Sequence, residues 1–197
     1  MPVAGSTSSQ WKGGTRPMSI LTDTFYGPSL DLTKWATYSS TVVGGRARCA
    51  MDWNYSGLIS AASIFTVKDS FLFAKITPPA VVRDGPEVGM FAGSQLRIRF
   101  YFDGTRYVIY AEWRVGSSGF YSASFPYNAV NHAWWKIRES GGTAFFETSP
   151  DGLNWTAFHS VAFAVPAAAQ PVQFLVGDYI NEVAVDYTYI DNVNTPP

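Results

Sequence analysis

Residues 134–155 read Trp-Trp-Lys-Ile-Arg-Glu-Ser-Gly-Gly-Thr-Ala-Phe-Phe-Glu-Thr-Ser-Pro-Asp-Gly-Leu-Asn-Trp. Two runs of alternating apolar and polar residues flank a Gly-Gly pair, which is the pattern of a β-hairpin. A two-residue primed turn needs positive φ at both central positions, and glycine adopts it without a Cβ clash. With Gly141 and Gly142 as the turn, the register follows: Ser140 opposite Thr143, Arg138 opposite Phe145, Ile137 opposite Phe146, Lys136 opposite Glu147 and Trp135 opposite Thr148. One face then carries Trp135, Ile137, Ala144 and Phe146, which belong in a core. The other carries the opposite-charge pair Lys136 and Glu147, worth at most about 1 kcal/mol as a cross-strand pair. The second strand ends in a Pro-Asp-Gly turn that delivers Trp155.

The same alternation recurs along the chain. Candidate strands cover 20–26, 35–39, 45–52, 57–66, 71–77, 87–92, 95–102, 105–114, 119–125, 133–140, 143–149, 155–164, 172–177 and 183–193, with Gly, Pro and Asp-Gly turn signals between most of them. No segment has a convincing helical period, and 165–169 reads as a Pro-Ala-rich loop. In the hairpin 95–114, an Asp103-Gly104 turn places Leu96 opposite Ala111, Ile98 opposite Ile109 and Phe100 opposite Tyr107 on the core side. Arg97, Arg99, Tyr101, Arg106, Tyr110 and Glu112 fall on the other side. Sheets with one buried and one polar face, stacked in pairs, predict an all-β, antiparallel two-sheet β-sandwich of jelly-roll type.

Composition supports one large folded domain of this kind. Of 197 residues 47% are hydrophobic, 16% aromatic and only 15% charged. The formal net charge of −1 supplies no basic field for nucleic acid or an anionic membrane, so neither nucleic-acid binding nor membrane insertion is expected. The single cysteine, Cys49, cannot form an intramolecular disulfide and reads as a small buried side chain. Residues 1–18 are rich in Ser, Thr and Gly and read as an arm preceding a domain at 19–197. Trp11 and Arg16 are its expected contacts with a neighbour, and Trp134, beside the inward Trp135, is an expected exposed interface residue. Residues 1–20 contain no apolar run of the kind that marks a signal peptide, so synthesis in a cytosol is expected.

Three segments together resemble the concanavalin A-like lectin/glucanase (laminin G-like) jelly-roll group. They are Leu-Thr-Asp-Thr-Phe at 21–25 with Leu-Asp-Leu-Thr-Lys-Trp at 30–35, the hairpin from Trp135 through Ser149-Pro-Asp-Gly to Trp155, and Val-Asp-Tyr-Thr-Tyr-Ile-Asp-Asn-Val at 185–193. The resemblance implies that the last strand lies beside the first. More narrowly, the opening motif and Gly-Gly-Arg-Ala-Arg at 44–48 are similar to minor tail proteins of actinobacterial bacteriophages. That implies a virion structural protein, oligomeric in the particle, with other tail proteins as partners and host cell-wall glycan as a possible one. The alternatives are a stand-alone carbohydrate-binding module or adhesin, a capsid decoration protein, and a glycosidase-like enzyme.

The residues lead to the expectation that the chain is not an enzyme and needs no cofactor or metal. Glycosidases place two carboxyl groups about 5–5.5 Å or 6.5–9.5 Å apart. The five glutamates, Glu87, Glu112, Glu139, Glu147 and Glu182, never fall within six residues of one another, and no Glu-x-Asp-x-Glu run exists. Glu182 and Asp186, four residues apart on one strand, would stand about 13 Å apart. His132 and His159 have no metal-ligand spacing, and the Asp-Gly pairs at 103–104 and 151–152 read as plain turns. A sugar-binding surface is the better match to the residue types: Arg97, Arg99, Tyr101, Arg106, Tyr110 and Glu112 on the polar sheet face, and Trp53 with Tyr55 near a loop. Trp35, Trp135 and Trp155 are assigned to the core.

Overall fold

A computed structural model describes residues 21–51, 55–61, 65–80, 84–165, 168, 170–178 and 186–197. The arm at 1–18 with Trp11 and Arg16, and residues Trp53 and Glu182, lie outside the described residues.

Fifteen strands are described, and no helix: β1 (Trp35–Tyr38), β2 (Ser40–Val43), β3 (Arg46–Ala50), β4 (Ser56–Ser60), β5 (Phe71–Thr77), β6 (Pro86–Ala92), β7 (Leu96–Phe102), β8 (Tyr107–Val115), β9 (Ser118–Tyr121), β10 (Phe125–Pro126), β11 (Trp134–Ser140), β12 (Thr143–Ser149), β13 (Thr156–Ala162), β14 (Val172–Asp178) and β15 (Tyr187–Asp191). They form two antiparallel sheets packed face to face, the expected β-sandwich. One sheet runs β1-β4-β14-β6-β7-β8-β10, with β9 also on β8; the other runs β13-β12-β11-β5-β15-β3-β2.

The last strand, β15, lies between β3 and β5 and not beside the first, and the expected contact between the two ends is reduced to a single bridge. Asp23 and Val193 form an antiparallel bridge, N to O 3.0 and 2.8 Å. One Asp23 carboxylate oxygen accepts from Phe25 N at 2.8 Å and the other from Trp35 Nε1 at 2.8 Å. Asn194 Nδ2 donates to Leu21 O, while its Oδ1 accepts from Phe73 N. The Asp of the opening motif, the Trp at 35 and the tail of the last strand are thus one connected unit.

The β11–β12 hairpin has the expected register pair for pair, and Gly141 and Gly142 have φ of 58° and 78°. Trp135, Ile137, Ala144 and Phe146 are fully buried between the sheets with Trp35, Phe100 and Phe174. Cys49 is buried as expected, and loss of solvent pushes its thiol up to about 11.

The β7–β8 register and the places of Arg106, Trp134 and Trp155 differ from expectation. In the β7–β8 hairpin Leu96 faces Trp113, Ile98 faces Ala111 and Phe100 faces Ile109, two residues from the expected register. The loop is four residues long because the Asp103 carboxylate accepts from both Thr105 N and Arg106 N, and Asp103 N donates to Arg106 O. A shift of two leaves every side chain on its expected face, but Arg106 now lies in the loop and not opposite Tyr101. Trp134 is not exposed: only 3% of it is accessible. The Ser149–Trp155 turn folds back over it, with Gly152 against its ring and Phe73 beside it. Trp155 is the lid rather than a core residue. It is partly exposed, packs on Phe73 at 5.7 Å and carries Lys136 Nζ 4.1 Å above its ring.

Candidate functional site

The outer face of β6, β7 and β8 is built by alternation, since residues two apart on a strand share a face. Glu87, Gly89 and Phe91 from β6 pair with Tyr101, Arg99 and Arg97 from β7, and these pair with Val108, Tyr110 and Glu112 from β8. Tyr121 of β9 pairs with Glu112 and extends the last row. On the other side Glu87 faces Gly177 of β14. Having no side chain, Gly177 leaves room for the Tyr55 ring, whose hydroxyl reaches Glu87 Oε2 at 3.4 Å.

Glu112 is the centre of the electrostatics. It is 1% exposed, and it receives Arg97 Nη1 at 2.8 Å, Arg99 Nη1 at 3.2 Å and Arg114 Nε at 3.1 Å. Arg99 also pairs with Glu87, so one guanidinium bridges two carboxylates from different strands. Arg97 lies over the Phe91 ring, 4.9 Å from its centroid. The result is a lattice of planar charged groups centred on Glu112, in which Arg97 and Arg99 each make more than one contact and Arg114 is held through Glu112.

Beside this lattice stand three tyrosines. Tyr110 meets Tyr101 edge-on at 5.3 Å and Tyr121 at 6.0 Å. With Ser122 and Ser124 they line an open depression of about 370 Å³. Burial, the largest influence, pushes the Tyr110 phenol up to about 12, so it remains a neutral hydroxyl donor at physiological pH. Shallow, aromatic-floored and flanked by planar hydrogen-bonding groups, the surface can stack an apolar ring face and bond to the hydroxyls around it.

Of the residues expected here, the structure brings together Arg97, Arg99, Tyr101, Tyr110 and Glu112, and joins Tyr55 to them through Glu87. Arg106 is elsewhere, on the rim of a separate cavity of about 560 Å³ lined by Pro78, Pro79, Phe100, Tyr107 and Tyr127. Glu87, Phe91, Arg114 and Tyr121 belong to the face and were missed. The Glu-x-Gly-x-Phe alternation at 87–91 was the available signal for the first two. Among the described residues no group of three or more His, Cys, Asp or Glu side chains could hold a metal ion.

No family model and no curated protein matches the sequence. The fold is that of the glucanase-type jelly roll. A β-glucanase from Bacillus licheniformis superposes with a TM-score of 0.65 at 9% identity, covering 87% of this chain and 95% of that one. A laminarinase from Flavobacterium sp. UMI-01 gives 0.59 at 11% identity, covering 87% and 96%. The CBM2 module of the evolved Dit of Lactobacillus casei BL23 phage J-1 gives 0.53 at 9% identity, covering 92% and 90%.

These likenesses correct the expectation that the chain is not an enzyme. The architecture is one on which glycosidases are built, and the missing Glu-x-Asp-x-Glu run does not exclude hydrolysis. Strand pairing brings Glu87 and Glu112, 25 residues apart in sequence, to the same guanidinium.

Proposed function

We propose that this domain recognises a polysaccharide on the outer face of β6–β8, and that it does so as a component of a bacteriophage tail. The carrying observation is the Tyr101–Tyr110–Tyr121 depression set against the Arg97–Glu112–Arg99–Glu87 lattice. A pyranose has an apolar face formed by its axial C–H groups and a rim of hydroxyls. The tyrosine rings suit the first, and rigid guanidinium and carboxylate edges suit the second, because they need little reordering on binding. The tail assignment rests on the resemblance of residues 21–25 and 44–48 to actinobacteriophage minor tail proteins. It is further supported by the likeness to a phage Dit module.

The test is titration of the purified chain with laminarin and with host cell-wall polysaccharide, with reducing-sugar release followed in parallel. Saturable binding that weakens about tenfold in Tyr110→Ala, or ~1.4 kcal/mol, is the expected result. Binding unchanged in Tyr110→Ala and Tyr101→Ala would remove the site. Reducing-sugar release abolished by Glu87→Gln would extend the assignment from recognition to hydrolysis.

A further inference from the structure

The sandwich has two lateral flanks, where the sheets end. At one, β13 lies over the end of the other sheet: Phe158 packs on Phe125 at 4.9 Å and His159 stacks on Trp113 at 4.9 Å. At the opposite flank β2 lies beside β1 and β4, with Ser40 Oγ donating to Gly57 O at 2.9 Å. Among the described residues β13 pairs only with β12, β2 only with β3, and β1 only with β4. Among the described residues, no second strand lies along the outer side of β13, of residues 41–43 in β2 or of β1.

Such edges invite pairing with another chain, and folded proteins usually guard them with lysine, proline or a bulge. Here the guard is sparse. Residues 115–135 and 152–177, which supply β9, β10 and β13, contain no Asp, Glu, Lys or Arg, and neither does 35–45, which supplies β1 and β2. The bulge between Phe146 and Glu147 distorts the start of β13. Beyond it His159–Ala162 is a regular run of four residues, as long as the whole of β2.

Exposed apolar groups gather at the same two places. Val115 and Phe120 stand on the first flank; Val43 and Leu32 stand on the second. There Leu30, Leu32, Thr41 and Val42 line a recess of about 320 Å³. One flank thus offers the knob, Phe120, and the other a hollow, with no like charges to oppose their approach.

We propose that copies of this chain associate side by side and head to tail, the β9–β13 flank of one against the β1–β2 flank of the next. A two-fold dimer through either flank would leave the other flank's strand edge and apolar groups bare, whereas head-to-tail contact covers both in every internal copy. Such heterologous contacts close into a ring or continue as a filament according to the rotation between copies.

Sedimentation velocity of the full chain over a concentration series tests this. Two variants place lysines at exposed edge positions: Ser160→Lys with Ala162→Lys on β13, and Thr41→Lys with Val43→Lys on β2. An unchanged unfolding midpoint in each shows that the fold is kept. The wild type is expected to form dimers and larger species and each variant alone to be monomeric. An equimolar mixture of the two should form a heterodimer and nothing larger, because each retains the edge that the other lacks. A monomeric wild type, one variant that still associates as the wild type does, or a mixture that stays monomeric would each overturn the proposal.

Discussion

Glu112 holds the candidate site together, so neutralising it should cost stability as well as binding. In Glu112→Gln the shape is kept while the charge facing three guanidiniums is lost. The Arg97 side chain is only 13% exposed, and among the described residues its one carboxylate partner is Glu112; Arg99 keeps Glu87. Removing one partner of a buried ion pair costs about 3–5 kcal/mol because the other charge stays desolvated. Arg114 is 42% exposed, and its share is that of a surface pair, at most ~1 kcal/mol. Allowing for the residual exposure of Arg97 and Arg99, the expected loss is about 2–4 kcal/mol. For a domain of this size that lowers the melting temperature by roughly 4–16 °C. Urea unfolding of the wild type and the variant measures the loss directly. The double variant Arg97→Met/Glu112→Leu, which leaves no orphaned Arg97 charge, should recover part of it. A Glu112→Gln protein within about 0.5 kcal/mol of the wild type would refute the reasoning, because surface substitutions stay in that range.

Two further outcomes are expected. Gly177→Ala puts a methyl group 2.1 Å from the nearest Tyr55 ring carbon, which must swing away from Glu87. Overpacking of this kind costs about 1–3 kcal/mol in urea unfolding, and polysaccharide affinity should fall with it if Tyr55 supports the site. His159 stacks on Trp113 with its Nε2 buried and without a hydrogen-bond partner among the described residues, and burial holds its pKa below the usual imidazole value. The unfolded chain therefore takes up a proton near pH ~6.5 that the folded chain resists. The His159 contribution should be level above that pH and fall as pH drops through it; burial lowers the His132 pKa as well, so His159→Phe should reduce the slope of unfolding midpoints measured from pH 8 to 5 without abolishing it.

The hairpin of β11 and β12 was legible to the residue because two glycines in a primed turn leave one register open. The hairpin of β7 and β8 was legible only by face. The Asp103 carboxylate, by capping two backbone N–H groups, lengthens the loop by two residues, and that preference is not visible in the alternation itself. Trp134 was misassigned for a different reason. Alternation gives the side of a strand, and the covering of the outer face by Trp155 and Gly152 is a tertiary event. β2 was missed because Ser-Thr-Val-Val at 40–43 is short and follows β1 after one residue, Ser39, with φ of 52°. Half of the candidate site could be read from β7 and β8, which form one local hairpin. Glu87 and Tyr55 could not, because their link to Arg99 depends on the order of strands in the sheet.

The two proposals bear on each other through geometry. β2 and β13 are the two edges of the sheet opposite the one that carries β6–β8 and run in the same direction, so a parallel seam between copies would keep their β6–β8 faces on one side of the assembly. A shallow site such as the Tyr101–Tyr110–Tyr121 depression encloses little of a sugar and gains little affinity from one copy. A polysaccharide repeats its epitope, and linked sites on a repeating ligand can exceed single-site affinity by about 10²–10⁴ without any new contact. Under the two proposals, weak individual recognition and uncharged lateral edges would serve the same end. The lattice around Glu112 would hold the polar groups of each face, and the flanks would set how many faces act together.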